Sequence, residues 1–302
     1  MKIFACVVSF NPSIERLYLC IKAIENNVDR LLIFDNGSQN YSLIEKMVKD
    51  FGSKSVELIK SPVNIGLSSA LQLLYEKSKN NGAEWILTLD QDTICPSNLV
   101  STLSAHCSDN VGIVSPLFFD KRRNCNKPII ENIVKEVSFC ITSGSLTSIK
   151  ALNAIGGYDT NLFIDLIDND LCYRLIKSGY SILEDHSLII DHELGEIRKA
   201  KLGSFYMSLF RVFHFDWLRK MSYKRVVSPL RMRYAVRNMI YLNEKHHGSN
   251  VNDWSKKTLR ETIRSGLIRS HFNTDIRKAI KQGKKEGLEL VNKLVAQNNR
   301  QL

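Results

Sequence analysis

The chain has 302 residues, of which 44% are hydrophobic and 24% charged, values that exclude a disordered chain and allow one large domain or two ordinary ones. Seven cysteines, an odd number with no CxxC pair, argue against both a disulfide framework and a structural zinc site. The net charge of +11 is unevenly spread: residues 1–196 carry 18 Lys and Arg against 24 Asp and Glu, whereas residues 197–302 carry 24 against 7. The apolar run Ile3 to Phe10 is far below the roughly 20 residues of a membrane span. It is also too short for a signal-peptide core and ends in Asn11-Pro12, so the expected compartment is the cytoplasm.

In chain order, Ile3–Ser9 is the first predicted strand, and Asn11-Pro12-Ser13 opens a helix running to about Asn27. Leu31–Phe34 is a strand closed by Asp35-Asn36-Gly37-Ser38, and a helix over Leu43–Phe51 leads to a strand at Val56–Ile59. A loop over Ser61–Ile65 precedes a helix from Gly66, with Leu67, Ala70, Leu71 and Leu74 on one face. Trp85–Leu89 is a strand ended by Asp90-Gln91-Asp92. A helix at Ser97–His106, a strand at Val111–Val114, a basic loop around Lys121–Pro128 and a strand at Val137–Thr142 follow, the last ended by Ser143-Gly144. Asp168–Ser178 is helical, Ser181–Leu183 and Leu188–Ile190 are two short strands before Asp191-His192, and the chain from about Gly203 is helical and basic. Strands alternating with helices predict an α/β fold, a mostly parallel sheet flanked by helices. The predicted domains are 1–196, an acidic α/β body, and 197–302, a basic, mainly helical region.

Open α/β sheets bind ligands beyond the C-terminal ends of their strands, and Ser9, Asp35, Asp90, Asp92 and Ser143 all fall at predicted strand ends. A lone Asp there is commonly a turn or cap residue. Asp90 and Asp92, one residue apart, can instead present oxygens to a hard divalent cation whose shell is completed by phosphate and water. Asp165, Asp168 and Asp170 cluster at a helix start, where carboxylates suit the macrodipole, and Asp170 can pair with Arg174 at i+4.

The ordered set Ser9-Phe10-Asn11, Asp35-Asn36-Gly37-Ser38, Asn64-Ile65-Gly66-Leu67, Leu89-Asp90-Gln91-Asp92, Gly156-Gly157-Tyr158-Asp159, Phe163-Ile164-Asp165 and Asp168-Asn169-Asp170-Leu171 resembles the family 2 glycosyltransferases of GT-A fold. The resemblance covers roughly residues 1–192. The Leu-Asp-Gln-Asp form, the Phe-Ile-Asp step and His192-Glu193-Leu194-Gly195 look most like the bacterial rhamnosyltransferases, as does Ser228-Pro229 followed by Arg231, Tyr234 and Arg237-Asn238. It implies that Asp35 reads the donor's pyrimidine base beside Ser9, Phe10 and Asn11, while Asn64, Gly66, Asp90 and Gln91 line the nucleotide sugar. Asp92 and His192 would hold Mg²⁺ or Mn²⁺, and His192 has a purely structural role as its alternative. Asp168 takes the place of the catalytic base, with Asp165 the second candidate, because Ile167-Asp168 stands where the family has Glu-Asp.

The implied reaction is inverting, metal-dependent transfer from dTDP-L-rhamnose to a lipid-linked glycan acceptor of bacterial surface polysaccharide. Another nucleotide sugar such as a UDP-hexose is the alternative donor. From a different class, a non-catalytic basic nucleic-acid-binding protein is disfavoured: no zinc finger or single-strand-binding motif is present, and the acidic body would repel phosphate polymers. Phe205, Tyr206, Leu209, Phe210, Phe213 and Trp217 recur at roughly helical spacing among basic residues. They suit an anionic membrane surface, so the expected place is peripheral, on the inner face of the plasma membrane. Alternatively the stripe packs on the α/β body, and Arg231 and Arg237 serve the diphosphate or the acceptor.

Overall fold

Four apolar runs become the strands β1 (Ile3–Ser9), β2 (Arg30–Asp35), β3 (Val56–Lys60) and β4 (Trp85–Asp90). Their near-continuous hydrophobicity has a simple cause: parallel strands covered on both faces have no polar side. The computed structural model describes residues 1–52, 55–120, 128–191, 197–200, 202–225, 228–247, 256–264 and 274–299. With β5 (Val111–Phe119), β6 (Val134–Glu136), β7 (Ser145–Ser148) and β8 (Ser181–Asp191), the strands form one eight-stranded sheet in the order β3-β2-β1-β4-β7-β5-β8-β6. β1 pairs in parallel with β2 and β4, β2 with β3, and β5 with β8. β7 runs antiparallel between β4 and β5, and β6 is an antiparallel edge strand on β8.

Alternate residues of β1 feed two cores on opposite faces of the sheet. Phe4 and Cys6 meet Leu71 and Leu74 of α3 (Leu67–Asn80), Leu152 of α5 (Ile149–Ala154), and Leu171 and Leu175 of α6 (Ile167–Lys177). Ala5 and Val7 meet Leu17 and Ile21 of α1 (Ile14–Ile24), Ile44 of α2 (Tyr41–Phe51), and Leu99 and Leu103 of α4 (Leu99–Ser104). The expected mostly parallel sheet flanked by helices is therefore the fold observed.

Two strand expectations need correction. Val137–Thr142 is not a strand: Phe139 is exposed, and only Cys140 and Ile141 are buried. The central strand is β7, whose Ser145, Thr147 and Ser148 are buried hydroxyl residues that a hydrophobicity pattern passes over. Ser181–Leu183 and Leu188–Ile190 are one strand, β8, whose pairing with β5 jumps from Asp185 to Ile189 at an irregularity. The basic loop falls at 121–127, outside the described residues.

Beyond the sheet, β9 (Ile197–Lys199) and β10 (Tyr223–Arg225) pair antiparallel around α7 (Gly203–Phe213) and α8 (Asp216–Ser222), a pairing not expected from the sequence. Ser228 then caps α9 (Pro229–Lys245) by accepting from Arg231 N–H, with Pro229 in the first turn. After helical residues 256–264 (α10), α11 (Thr274–Asn298) packs along α9 through Met232, Val236, Ile276, Ala279 and Ile280. Arg233 and Glu286 lock the pair with two hydrogen bonds of 2.7 and 2.6 Å. Tyr241 and Leu242 on α9 belong to the same core as α3 and α6, so this basic helix is packed into the α/β body.

Candidate active site

The C-terminal ends of β1, β2 and β4 and the loop before α3 are stitched into one rim. Phe10 N–H donates to Gln91 Oε1 at 2.8 Å, which ties the end of β1 to the Asp90-Gln91-Asp92 loop. Asn11 donates its N–H to Ser38 Oγ and accepts from Gln39 N–H, both at 2.8 Å. Ile65 N–H donates to Asn36 Oδ1 at 2.8 Å, and Gly37 lies so close to Val63 and Asn64 that a Cβ would sit 2.6 Å from a backbone carbon. Asn64 Oδ1 accepts from Gly66 N–H at 2.9 Å. Gly66 itself has φ +90° and ψ 158°, a region essentially closed to other residues, and a Cβ there would meet the Phe163 ring at 2.7 Å. Gly66 is thus the contact point between this rim and the acceptor-side segment.

Asp35 is fully covered, and its carboxylate accepts from Ser38 N–H at 3.1 Å and from the buried Ser9 hydroxyl at 3.4 Å. Asn64 and Asp92 are exposed, while Asp90 and Gln91 are half-buried. Among the described residues, no three His, Cys, Asp or Glu side chains gather into a metal-binding group. Asp90 and Asp92 are hard oxygen donors of the kind Mg²⁺ or Mn²⁺ takes when phosphate and water complete its shell. His192 lies outside the described residues.

The acidic loop and the base candidate are joined through Thr142 and Ser143. Ser143 Oγ accepts from Asp90 N–H at 3.0 Å and lies 2.9 Å from Thr93 Oγ1. Thr88 Oγ1 donates to Thr142 O at 2.6 Å, and Thr142 Oγ1 donates to Asp168 Oδ1 at 2.8 Å. Asp168 is half-buried in the first turn of α6. Sequence reasoning missed Thr142, although it adjoins the flagged Ser143; nothing in its residue type separates it from any strand-end threonine.

Asp165 stands beside the start of α9. Burial raises its carboxyl above the ordinary range, partly offset by Arg231, whose Nη2 is 3.8 Å away. Arg231 is otherwise about half exposed. Arg237 is engaged elsewhere, donating to Asn161 O and lying over the Tyr234 ring at 5.0 Å. Tyr234 in turn stacks on Phe163 at 4.6 Å and 9°.

The strongest electrostatic feature lies behind the base. Asp170, 1% exposed, accepts from Arg174 Nε at 2.7 Å, from Lys245 Nζ at 2.7 Å and from His246 Nε2 at 2.9 Å. Burial works against its charge, yet the His246 hydrogen bond, Lys245 and Arg174 hold the carboxyl well below the usual range. Lys245 also reaches Asp159, which accepts from Tyr241 OH at 2.9 Å; burial opposes that charge as well, and Lys245 outweighs it. The i+4 pairing of Asp170 with Arg174 is as the sequence suggests, whereas its bridge to α9 was unforeseen.

The glycosyl transferase family 2 profile matches residues 5–155. A dTDP-rhamnosyl transferase, RfbF of Shigella flexneri, is 25% identical over 262 residues, covering 81% of each chain. Among solved structures, the mannosyltransferase PcManGT from Pyrobaculum calidifontis, in complex with GDP-Man and Mn²⁺, has a TM-score of 0.52 at 12% identity, over 97% of this chain and 86% of that one. S. aureus TarS 1–349 gives 0.53 at 13% identity over 93% and 81%. GalNAc-T7, with UDP, GalNAc and Mn²⁺, gives 0.55 at 14% identity over 64% of this chain and 44% of that one, so the chain spans less than half its length. At these identities the structural likenesses speak for the fold.

Asp170→Asn removes a buried charge from three partners and should cost about 3–5 kcal/mol of stability at neutral pH. The native pKa lies below the unfolded one, so this contribution is fully present above about pH 4 and is lost as pH falls through the native value. Denaturant unfolding should show the gap between wild type and variant wide at pH 7 and narrowing in strong acid. A gap independent of pH contradicts the assignment.

Proposed function

The chain belongs to glycosyl transferase family 2, and within it we propose an inverting, metal-dependent rhamnosyltransferase that uses dTDP-L-rhamnose. The observation that carries the chemistry is the hydrogen-bonded path from the Asp90–Asp92 loop through Ser143 and Thr142 to Asp168. It supports a reading in which Asp90 and Asp92 would hold a cation and Asp168 would act as the base at one mouth of the sheet. The donor assignment draws on the likeness to the dTDP-rhamnosyl transferase.

In this reading Asp35 reads the pyrimidine edge. Its carboxylate has about four lone-pair sites, and Ser9 and Ser38 take two. Ser9, Phe10, Asn11, Asn64, Gly66, Asp90 and Gln91 frame the nucleotide sugar. Asp92, with Asp90 beside it and His192 as a further ligand, would hold a divalent cation, which would supply neutralising charge for the departing diphosphate. Thr142 donates to Asp168 Oδ1 and orients the carboxylate that, in this reading, meets the acceptor hydroxyl. As that hydroxyl oxygen bonds to the anomeric carbon, the bond to the diphosphate breaks on the opposite face and Asp168 takes the proton. One base is enough, and the anomeric centre inverts. Asp165, its charge opposed by burial, assists at the acceptor side, and half-exposed Arg231 faces the acceptor's or donor's phosphate.

Two variants and a titration test this. Asp168→Asn should lower kcat at least about 10²-fold, as the loss of a general base does, with little change in donor affinity. Asp92→Ala should weaken metal-dependent nucleotide binding. In calorimetry, dTDP should bind better than GDP or ADP. An active Asp168→Asn enzyme, or a purine preference, would contradict the base or the role of Asp35, and tighter binding of a UDP-hexose would favour the alternative donor.

The enzyme's place, in the same proposal, is the cytoplasmic surface of a bacterial plasma membrane, with a lipid-linked glycan of O-antigen type as acceptor. No helix among the described residues is long and apolar enough to cross a membrane, so the contact is peripheral. Support comes from α7 and α8: Leu202, Phe205, Val212, Phe213, Phe215 and Trp217 are each more than half exposed. Residues 197–225 carry eight Lys and Arg against one Asp, a charge suited to anionic headgroups at about 1 kcal/mol per basic residue. That segment runs into α9, whose first turn bears Arg231 beside Asp165. In liposome flotation the protein should bind anionic vesicles and not neutral ones, and release in high salt or with Phe213→Ser/Trp217→Ser. Binding unchanged by salt and by these substitutions, or none, would remove the membrane role.

A further inference from the structure

Asp165 and Leu166 both have left-handed backbones, with φ of +67° and +65°. Each such residue with a side chain costs roughly 1–2 kcal/mol, and two in succession persist only where the surroundings over-determine them. Leu166 immediately precedes α6, and Asp168 is the second residue of that helix. The path of the chain through this step therefore sets where the Asp168 carboxylate stands.

The surroundings that impose the path come from α9. Tyr234, Asn238, Tyr241 and Lys245 recur at three- and four-residue spacing and share one helix face. Tyr234 stacks on Phe163, Tyr241 and Lys245 hold Asp159, and Asn238 falls on the strained step itself. Asn238 is fully buried, and its Nδ2 donates to Ile164 O at 2.8 Å and to Asp165 O at 3.0 Å. A primary amide has two N–H donors on one atom, which these two successive carbonyls use together. Its orientation is dictated, because turning the amide over would set an oxygen against both carbonyls.

We propose that Asn238 is a positioning residue for glycosyl transfer: its amide holds the left-handed Asp165–Leu166 step and thereby aims Asp168 at the acceptor hydroxyl. This rests on Asp168 being the base. It assigns to the C-terminal helix a part in catalysis that is separate from any membrane or phosphate contact.

The test is Asn238→Asp, which keeps the shape but turns both contacts into oxygen against oxygen. Metal-dependent turnover of dTDP-rhamnose should fall about 10- to 100-fold in kcat, the scale of a small misplacement of a reacting group. Donor KM and calorimetric nucleotide affinity should stay within about twofold, since the donor rim does not touch Asn238. Arg233→Ala, which breaks the α9–α11 ion pair with Glu286, controls for loss of stability and should lower the melting temperature without that kcat loss. Asn238→Ala combined with Leu166→Gly, where glycine takes the left-handed backbone at no steric cost, should recover activity relative to Asn238→Ala alone. Should Asn238→Asp not fold, that second pair carries the comparison. Wild-type kcat in Asn238→Asp, a loss matched by Arg233→Ala, or no recovery with Leu166→Gly would overturn the proposal. If Asp168→Asn stays active, it is the assignment of the base that falls; if Asp168→Asn is inactive and Asn238→Asp normal, only the positioning role falls.

Discussion

A carboxylate that is 1% exposed cannot keep its charge unless partners are built around it, and Asp170 is such a group. Arg174 comes from its own helix, but Lys245 and His246 must be brought from α9, some 75 residues later. That requirement fixes α9 across the segment 159–170. The helix cannot move away without taking two of its three partners from the buried Asp170 and the carboxylates from Lys245. The stack of Tyr234 on Phe163, the hold of Tyr241 and Lys245 on Asp159, and the amide of Asn238 on Ile164 and Asp165 all follow from that placement.

The sheet delivers the other half of the site. Its parallel strands end at one edge, and the loops leaving β1, β2 and β4 are tied to one another by side chains that face along the rim: Gln91 to Phe10, Asn11 to Ser38 and Gln39, Asn36 to Ile65. The antiparallel insertion of β7 between β4 and β5 has a functional consequence. It carries the preceding Thr142–Ser143 turn to the end of β4, where one residue contacts the Asp90 backbone and the next contacts Asp168. The Asp90-Gln91-Asp92 loop and Asp168 are thus joined through two adjacent hydroxyl residues. Gly66, open enough to admit Phe163, closes the rim against the segment that α9 holds.

The parts legible in the sequence are those whose physics is local. β1, β2 and β4 are apolar runs buried on both faces, β3 is a half-buried edge strand, and the turn residues after them mark the rim, so Asp35, Asp90 and Asp92 could be placed at strand ends from the pattern alone. β7 was not legible because buried hydroxyl residues such as Ser145, which donates to Ile141 O, leave no hydrophobic trace. β8 read as two strands because the irregularity opposite Pro116 and Leu117 interrupts its alternation. The role of α9 was hidden for a different reason. Its basic residues look like a surface for an anionic partner, yet Arg233 is spent on Glu286, Lys245 on Asp159 and Asp170, and Arg237 on Asn161 O. Net charge counts residues and does not show which are already paired. On α7 and α8 the exposed residues are mainly apolar, with Arg211 among them, while Arg219 is buried.

The account makes one carboxylate the proton acceptor in a direct displacement, with no covalent sugar–enzyme intermediate. The most direct measurement is proton NMR of the sugar released from dTDP-L-rhamnose during the first minutes of metal-dependent hydrolysis, before the anomers equilibrate. The account predicts that the first rhamnose to appear has the anomeric configuration opposite to that of the donor. First appearance of the donor's own configuration would contradict it, because retention requires a second displacement or attack from the leaving-group side.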